Sequence, residues 1–182
     1  MKAIKIEQIT IPYKKEWLQQ WKERNPNIVP SFMLDWDGPG ISNGYGFGEW
    51  MAEKYFRNQG YYVFTNDFNL LSKTSKFSRY NKMIDTLIPP GKLKEFKEIV
   101  QQLTKEGYSI ENPDLLVFNL NTCFFAEVKK ESDKVREPQL RFFYLAKQYF
   151  EIDSKLVYLC DKSIDVLSEE LTFEFDLSDS VI

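Results

Sequence analysis

Short apolar runs alternate with amphipathic stripes along this chain, and together they predict a mixed α/β structure. Strand-like apolar runs stand at 4–11, 61–64, 115–118, 123–126, 155–160 and 171–175. Apolar residues at helical spacing occupy about 14–24, 48–56, 92–106 and 138–150. Elements in this order favour one mixed β-sheet flanked by helices.

The neighbouring strand-like runs at 115–118 and 123–126 predict a β-hairpin. The segment between them is polar and suits a turn: Asn119-Leu120-Asn121-Thr122. A turn centred between its two middle residues pairs Asp114 with Glu127. Directly opposed side chains lie on one face of a sheet, with Cβ atoms about 5 Å apart. Alternation along the strand places Lys129 on the same face, and a register slip of one residue would move all three off it.

Asp114 and Glu127 at this separation repel each other unless a cation lies between them. Hard oxygen ligands suit Mg²⁺, with Mn²⁺ as the expected substitute, and Mg²⁺ also accepts phosphate oxygens. Such a metal lowers the pKa of a bound water and neutralises charge that builds on phosphorus. The ammonium of Lys129 would orient the attacking water or stabilise the added negative charge. The plain alternative is an ordinary hairpin with polar ends.

The residues around this pair resemble the PD-(D/E)xK nuclease superfamily and, within it, the VRR-NUC domain. The matching motif residues are Pro113-Asp114, Glu127-Val128-Lys129, Asp133 and Gln139. The resemblance covers about 45–60 and 110–160 of the chain. It implies a restriction-endonuclease-like core, in which Asp114 and Glu127 bind the metal together with the backbone carbonyl of Val128. It also implies that Lys129 is catalytic and that Gln139 contacts the site from the next helix, holding Lys129 or the scissile phosphate.

The superfamily usually supplies one further acid from an upstream helix. Glu49 stands eleven residues before Gly60, which precedes the strand-like run 61–64, and this is the interval of Holliday-junction-resolvase relatives. The resemblance therefore implies that Glu49 assists the metal, directly or through water. Glu53 lies one turn further along the same helix face and is the second candidate. For either residue the alternative is a solvated surface glutamate.

The chain of 182 residues suits a single domain. We expect a nuclease core made of 45–65 and 111–176. Residues 1–44 would form an N-terminal extension, and 66–110 would form a helical insertion beside the core.

The distribution of charge is more informative than the net charge of −3. Residues 161–180 carry seven acids and one lysine, so the rest of the chain is positive. The stretch 70–82 has basic residues and no acid, with Lys73, Lys76 and Arg79 as candidate phosphate contacts; a solvated basic loop is the alternative. Four more candidates for nucleic-acid contact surround the motif: Lys130, Lys134, Arg136 and Arg141.

The residue types that are missing narrow the chemistry. The chain has no histidine, which excludes Ser-His-Asp triads, Cys-His dyads and zinc deaminase sites. Cys123 and Cys160 lack CxxC spacing and suit buried free thiols. No run is long and apolar enough for a transmembrane helix and no signal-peptide pattern stands at the start, so we expect no membrane partner and a soluble, cytoplasmic protein.

These observations together predict a metal-dependent DNA endonuclease. The resemblance implies branched DNA or junctions as substrate, a role in DNA repair or recombination, and a possible homodimer. A restriction-type or mobile-element nuclease is the alternative enzyme. A non-catalytic nucleic-acid-binding module on the same scaffold is the alternative from another class.

Overall fold

A computed structural model describes residues 1–34, 40–65, 68–71, 81–130, 133–161 and 164–178 of the chain. Within these residues the fold is α/β, with a mixed sheet of six strands flanked by helices. The strands are β1 (Lys2–Pro12), β2 (Tyr62–Phe64), β3 (Leu115–Phe118), β4 (Cys123–Lys129), β5 (Asp153–Cys160) and β6 (Leu167–Phe175). Their order across the sheet is β2-β3-β4-β5-β1-β6.

Helices flank the sheet and connect its strands. They are α1 (Lys15–Lys22), α2 (Ser31–Leu34), α3 (Phe47–Asn58), α4 (Asn81–Leu87), α5 (Pro90–Lys105) and α6 (Glu137–Phe150), with a short 3-10 turn at Ile41–Asn43. The structure confirms the helices expected near 48–56, 92–106 and 138–150. Helix α4 was not predicted from the apolar pattern.

Alternation along the hairpin strands divides the core into two layers. Leu115, Val117 and Phe124 face helix α3, whose Phe56 packs in the same buried cluster. Their neighbours along the strands point to the opposite face, where Phe125 packs with residues of α5 and α6. Both faces of β3 and β4 are therefore covered, and burial of these apolar side chains stabilises the register of the hairpin.

The first strand corrects the expected boundaries of the core. Residues 1–44 were expected to form an extension outside it, but β1 lies inside the sheet. It pairs parallel with β5, from Glu7–Lys155 to Pro12–Cys160, and antiparallel with β6 along its other edge. Strand β1 is central because both of its edges are hydrogen-bonded, which makes the N-terminal segment part of the core.

The expected insertion is helical in the part that the structure describes. Helix α5 packs on α6, with Phe96 and Leu103 fully buried between them. The three basic residues expected to contact phosphate in this stretch, Lys73, Lys76 and Arg79, lie outside the described residues. Of the helices that the structure describes, none has the length and apolar character needed to cross a membrane.

Candidate metal-binding cleft at the end of the hairpin

The hairpin has the register that its turn predicts. Leu115 pairs with Ala126, so the next positions outward are Asp114 and Glu127. The turn is closed by Asn119, whose Oδ1 accepts hydrogen bonds from the backbone N–H groups of Asn121 and Thr122 at 2.9 and 3.0 Å. An asparagine side chain can fix a turn in this way without an Asn-Gly pair. The local sequence therefore sets which carboxylates meet at the far end.

The two carboxylates line a cleft of about 190 Å³ between the hairpin and the first turn of α3. The described residues of its wall are Tyr45, Gly46, Gly48, Glu49, Asp114, Glu127, Val128, Lys130 and Asp133. Gly48 lets the helix approach the strand closely, since a Cβ there would lie 3.1 Å from Val128 Cγ1 and 3.5 Å from Leu159 Cδ1. This close approach brings the next residue of the helix, Glu49, to the hairpin carboxylates.

Asp114 is held in place by the backbone of the opposite strand. Its Oδ2 accepts a hydrogen bond from Val128 N–H at 2.9 Å. The pKa of the Asp114 carboxyl is raised to about 7. Burial is the largest cause, followed by the negative charge of Glu127 and then of Glu49, against the lowering effects of that hydrogen bond and of Lys129. Asp114 therefore lies in an environment that disfavours its ionised form when no cation is present.

Glu127 is buried, with 4% of its surface exposed, and its two oxygens have different surroundings. Oε1 accepts from Lys129 Nζ at 2.9 Å and from Gln139 Nε2 in a shorter contact. Among the described residues, Oε2 has no hydrogen-bond partner. Burial raises the pKa of Glu127, and the neighbouring Lys129 ammonium lowers it. A buried carboxylate oxygen without a donor is costly unless a ligand satisfies it.

Lys129 and Gln139 support Glu127 from behind the cleft. Lys129 is only 6% exposed, on the face of β4 that alternation predicts. Gln139 was expected to hold Lys129 or a phosphate. The structure instead shows it bridging Glu127 and the backbone N–H of Arg136, which donates to Gln139 Oε1 at 3.0 Å. The first turn of α6 thereby orients the Glu127 carboxylate.

The structure distinguishes the two helix acids that the sequence left open. Glu49 lines the cleft and acts electrostatically on Asp114. Glu53 lies one turn away and forms an ion pair with Arg57, 2.7 Å from Nε to Oε1. Of the two, Glu49 is the acid beside the hairpin carboxylates.

The donor set of the cleft suits a hard cation that keeps part of its water shell. The described residues include no group of three or more acidic, thiol or imidazole side chains arranged to hold a metal ion directly. Asp114 and Glu127 supply carboxylate oxygens, and the otherwise unpartnered Oε2 is one of them. Mg²⁺ commonly binds one or two carboxylates and retains several waters, so this pair fits it, with Glu49 close enough to contribute through water.

The basic residues expected to contact nucleic acid differ in their surroundings. Lys130 lines the cleft, and its Nζ donates to Gly44 O at 3.1 Å. Lys134 and Arg136 are exposed, and Arg136 forms an ion pair with Glu111 at 2.6 Å. The expectation for Arg141 is wrong because its side chain is buried and its guanidinium is used inside the protein.

Arg141 joins three parts of the fold. Its Nε donates to Asp176 O at 2.8 Å, one terminal nitrogen donates to Ser109 O at 3.2 Å, and the other contacts the Glu137 carboxylate. The guanidinium also lies over the ring of Tyr108, 5.2 Å from its centroid. These contacts use three of the five N–H donors of the guanidinium and hold it inside the protein.

Tyr45 is a residue of the cleft that the sequence motif did not predict. It lines the wall, and 46% of its surface is exposed. The signal in the sequence was its position between Gly44 and Gly46, directly before helix α3.

Comparison of the chain with protein-family models, curated proteins and solved structures finds no significant match.

Proposed function

We propose that this protein is a metal-dependent nuclease that hydrolyses phosphodiester bonds in DNA at the cleft between the hairpin and helix α3. The observation that carries the proposal is the buried Glu127 carboxylate, which stands opposite Asp114 and has one oxygen without a hydrogen-bond partner among the described residues. The mixed sheet, the hairpin site and the preceding helix acid are also consistent with a restriction-endonuclease-like core.

The residues present fit a bound Mg²⁺, with Mn²⁺ as the substitute. Asp114 and Glu127 would hold it, the Val128 carbonyl would be a further ligand, and Glu49 would assist through water. When bound, the ion would activate a water molecule and neutralise charge on the phosphate being attacked. It would also relieve the repulsion between the two carboxylates that a buried site otherwise strengthens.

The chain's own residues would orient these groups. Gln139 and Lys129 fix one oxygen of Glu127, and the second oxygen has no donor among the described residues. An ammonium has three N–H donors, and the described contact of Lys129 with Glu127 uses one of them. A further donor can position the attacking water or contact a phosphate oxygen as negative charge develops there.

The test is cleavage of a panel of linear, flapped and four-way DNAs by the parent protein and Lys129→Ala, with Mg²⁺ and with EDTA. We expect Mg²⁺-dependent cleavage that is at least ~100-fold slower in the lysine variant, as is common when a charge-stabilising group is lost. A titration of Mg²⁺ separates two roles of this lysine. A lower maximal rate at unchanged metal affinity indicates direct action on the substrate, whereas weaker metal affinity indicates that Lys129 only holds Glu127.

Lys147→Ala is the matched control, since Lys147 is half exposed and its only described ion pair is with Asp153. It should cleave like the parent. The nuclease would be excluded if no DNA is cleaved in a Mg²⁺-dependent way and if Asp114→Asn binds DNA as the parent does. That outcome would favour a binding module. The panel also tests branched DNA as the substrate, and light scattering tests the homodimer that the resemblance implies.

A further inference from the structure

An exposed aromatic residue lines the cleft. Tyr45 contributes to the same wall as Asp114 and Glu127, yet 46% of its surface is exposed. Of the aromatic residues that the structure describes, Tyr45 and Tyr62 are the two exposed ones, and Tyr45 is the one that lines the cleft with the two carboxylates. This position is where a nucleotide next to the bound phosphodiester would pass.

The backbone of Tyr45 is fixed on both sides, so the ring is presented from a rigid turn. Its N–H donates to Gly40 O at 2.9 Å, and its carbonyl accepts from the indole N–H of the buried Trp21 at 2.8 Å. Gly44 and Gly46 have φ values of 81° and 78°, a region that residues with a Cβ rarely adopt. A rigid aromatic residue loses little conformational entropy when it binds a ligand.

Two lysines flank this turn. Lys130 Nζ donates to Gly44 O at 3.1 Å. A Cβ placed on Gly44 would lie 3.5 Å from Lys22 Cε and 3.8 Å from Lys130 Nζ, so both side chains bound the same small space. An aromatic residue next to cationic groups is the combination that binds single-stranded nucleic acid, because bases stack on the ring and phosphates contact the cations.

We propose that Tyr45 stacks on an unpaired base next to the bond to be cut, and that the cleft therefore prefers DNA with unpaired nucleotides over fully paired duplex. The inference rests on the proposed nuclease function for the position of the bond. Stacking itself does not require cleavage. Lys22 and Lys130 contact the phosphate next to the stacked base. Paired bases remain stacked on their neighbours in a duplex and cannot offer a face to the ring without being extruded.

The experiment uses DNA that carries 2-aminopurine at one unpaired position next to a duplex. Binding is measured with Ca²⁺ in place of Mg²⁺, since both are hard cations that carboxylates bind. We expect the parent to quench the 2-aminopurine fluorescence. Tyr45→Leu should lose the quenching and bind this DNA ~10-fold more weakly, because stacking on one aromatic ring is worth about 1–3 kcal/mol. Tyr45→Phe should behave as the parent.

Tyr62→Leu is the matched control, because Tyr62 is also exposed, at 62%, but pairs with Phe118 near the turn end of the hairpin. It should retain the quenching, and all variants should bind a fully paired duplex alike. The proposal is overturned if Tyr45→Leu quenches as the parent does, if Tyr62→Leu loses as much, or if the parent shows no preference for the unpaired DNA. A parent that quenches through Tyr45 but cuts no DNA would refute the nuclease alone, whereas one that cuts without any effect of Tyr45 would refute the stacking alone.

Discussion

Glu127 and Arg141 are both buried charged residues near the start of helix α6, and their surroundings differ in one decisive way. Arg141 is 7% exposed and directs its donors at Asp176 O, Ser109 O and the Glu137 carboxylate. Glu127 is 4% exposed, and one of its oxygens has no partner among the described residues. The first network is closed, whereas the second is open, because it leaves one buried oxygen of Glu127 without a donor among the described residues.

This difference indicates which buried charge stabilises the fold and which is available to bind a ligand. A satisfied cation stabilises the elements that it joins, and its removal leaves acceptors unpaired. An unsatisfied carboxylate next to a second carboxylate costs stability in the absence of a ligand, and such a cost is common where a protein binds or reacts. Variants in the two networks should therefore change different measured quantities.

The largest expected effect on stability is at Arg141. Arg141→Met keeps an apolar side chain of similar length but leaves the carbonyls of Ser109 and Asp176 without their donor. Hydrogen bonds to a charged group contribute about 1.5–3 kcal/mol each, and these two are partly buried, so we expect a loss of about 3 kcal/mol in the free energy of unfolding, measured with urea. DNA affinity, measured well below the unfolding midpoint, should not change.

Lys94→Met is the control for this variant, because Lys94 is 79% exposed and its pair with Glu98 is long, at 3.8 Å. It should change stability by less than about 0.5 kcal/mol. Equal stabilities of the two variants would mean that the network of Arg141 is not closed in solution. A selective loss of DNA affinity in Arg141→Met would indicate that Arg141 contacts nucleic acid.

Gln139 should affect metal binding more than stability. Gln139→Met keeps the bulk of the side chain but removes the N–H that orients Glu127 Oε1. Loss of a group that orients a metal ligand usually weakens metal affinity 10- to 100-fold. We expect that loss in the Mg²⁺ dependence of the thermal midpoint.

The exposed Gln148 on the same helix supplies the control. Gln148→Met should bind Mg²⁺ as the parent does. If Gln139→Met also binds Mg²⁺ normally, its contact with Glu127 has no part in holding the metal, and the open network would need another explanation.

Local patterns predicted the hairpin and its register well, because all of the deciding contacts lie within the segment. The polar turn at 119–122 sets the centre, and apolar alternation sets the faces. The same local signals left the place of β1 open. Its partners β5 and β6 lie more than a hundred residues away in the chain, and an apolar run does not indicate which strands it pairs with.

The side-chain partners were harder to predict than the strands. Arg141 looks in the sequence like Lys130 or Lys134, and only the approach of Ser109 and Asp176 makes it an internal residue. Gln139 was placed correctly at the start of a helix, but its partner is Glu127 and not Lys129. These choices depend on distances between elements, which a pattern of residue types does not contain.

Asp114→Asn should stabilise the protein in the absence of metal, in a manner that depends on pH. The folded pKa of Asp114 is about 7 against an ordinary 3.8, so between these values the folded state holds a proton that the unfolded state has lost. The contribution of Asp114 to stability is therefore lost as pH rises from about 4 to 7. The asparagine variant avoids this loss, which amounts to about 1.4 kcal/mol for each pH unit between the two pKa values. We therefore expect its free energy of unfolding to exceed that of the parent by more than about 1 kcal/mol at pH 8 and by little at pH 4.

Mg²⁺ should reverse the order of the two proteins. It binds the ionised carboxylate, so the rise in the thermal midpoint of the parent should grow from pH 5 to pH 8 and be absent in Asp114→Asn. Asp153→Asn is the control, since that carboxylate is 70% exposed. A parent whose stability does not fall from pH 4 to 7 in EDTA would show that Asp114 ionises normally and that the cleft is not strained.

The smallest effect on stability is expected at Arg136, which lies between the two networks. Its ion pair with Glu111 is short, but 62% of its side chain is exposed, and such pairs contribute about 0–1 kcal/mol. Arg136→Ala should therefore lower the free energy of unfolding by less than about 0.5 kcal/mol. Burial raises the pKa of Glu127 and the charge of Arg136 acts against it, and the exposed guanidinium is also a candidate phosphate contact.

DNA binding as a function of salt concentration is the measurement that separates these roles of Arg136. Loss of one phosphate contact should lower affinity equally for all DNAs and reduce the slope of log K against log salt by about 1. An unchanged slope would leave Arg136 as a surface residue that only tunes Glu127. If Arg136→Ala instead loses as much stability as Arg141→Met, Arg136 is part of the closed network. Only a residue whose donors are needed inside the fold should lower the free energy of unfolding that much when it is replaced.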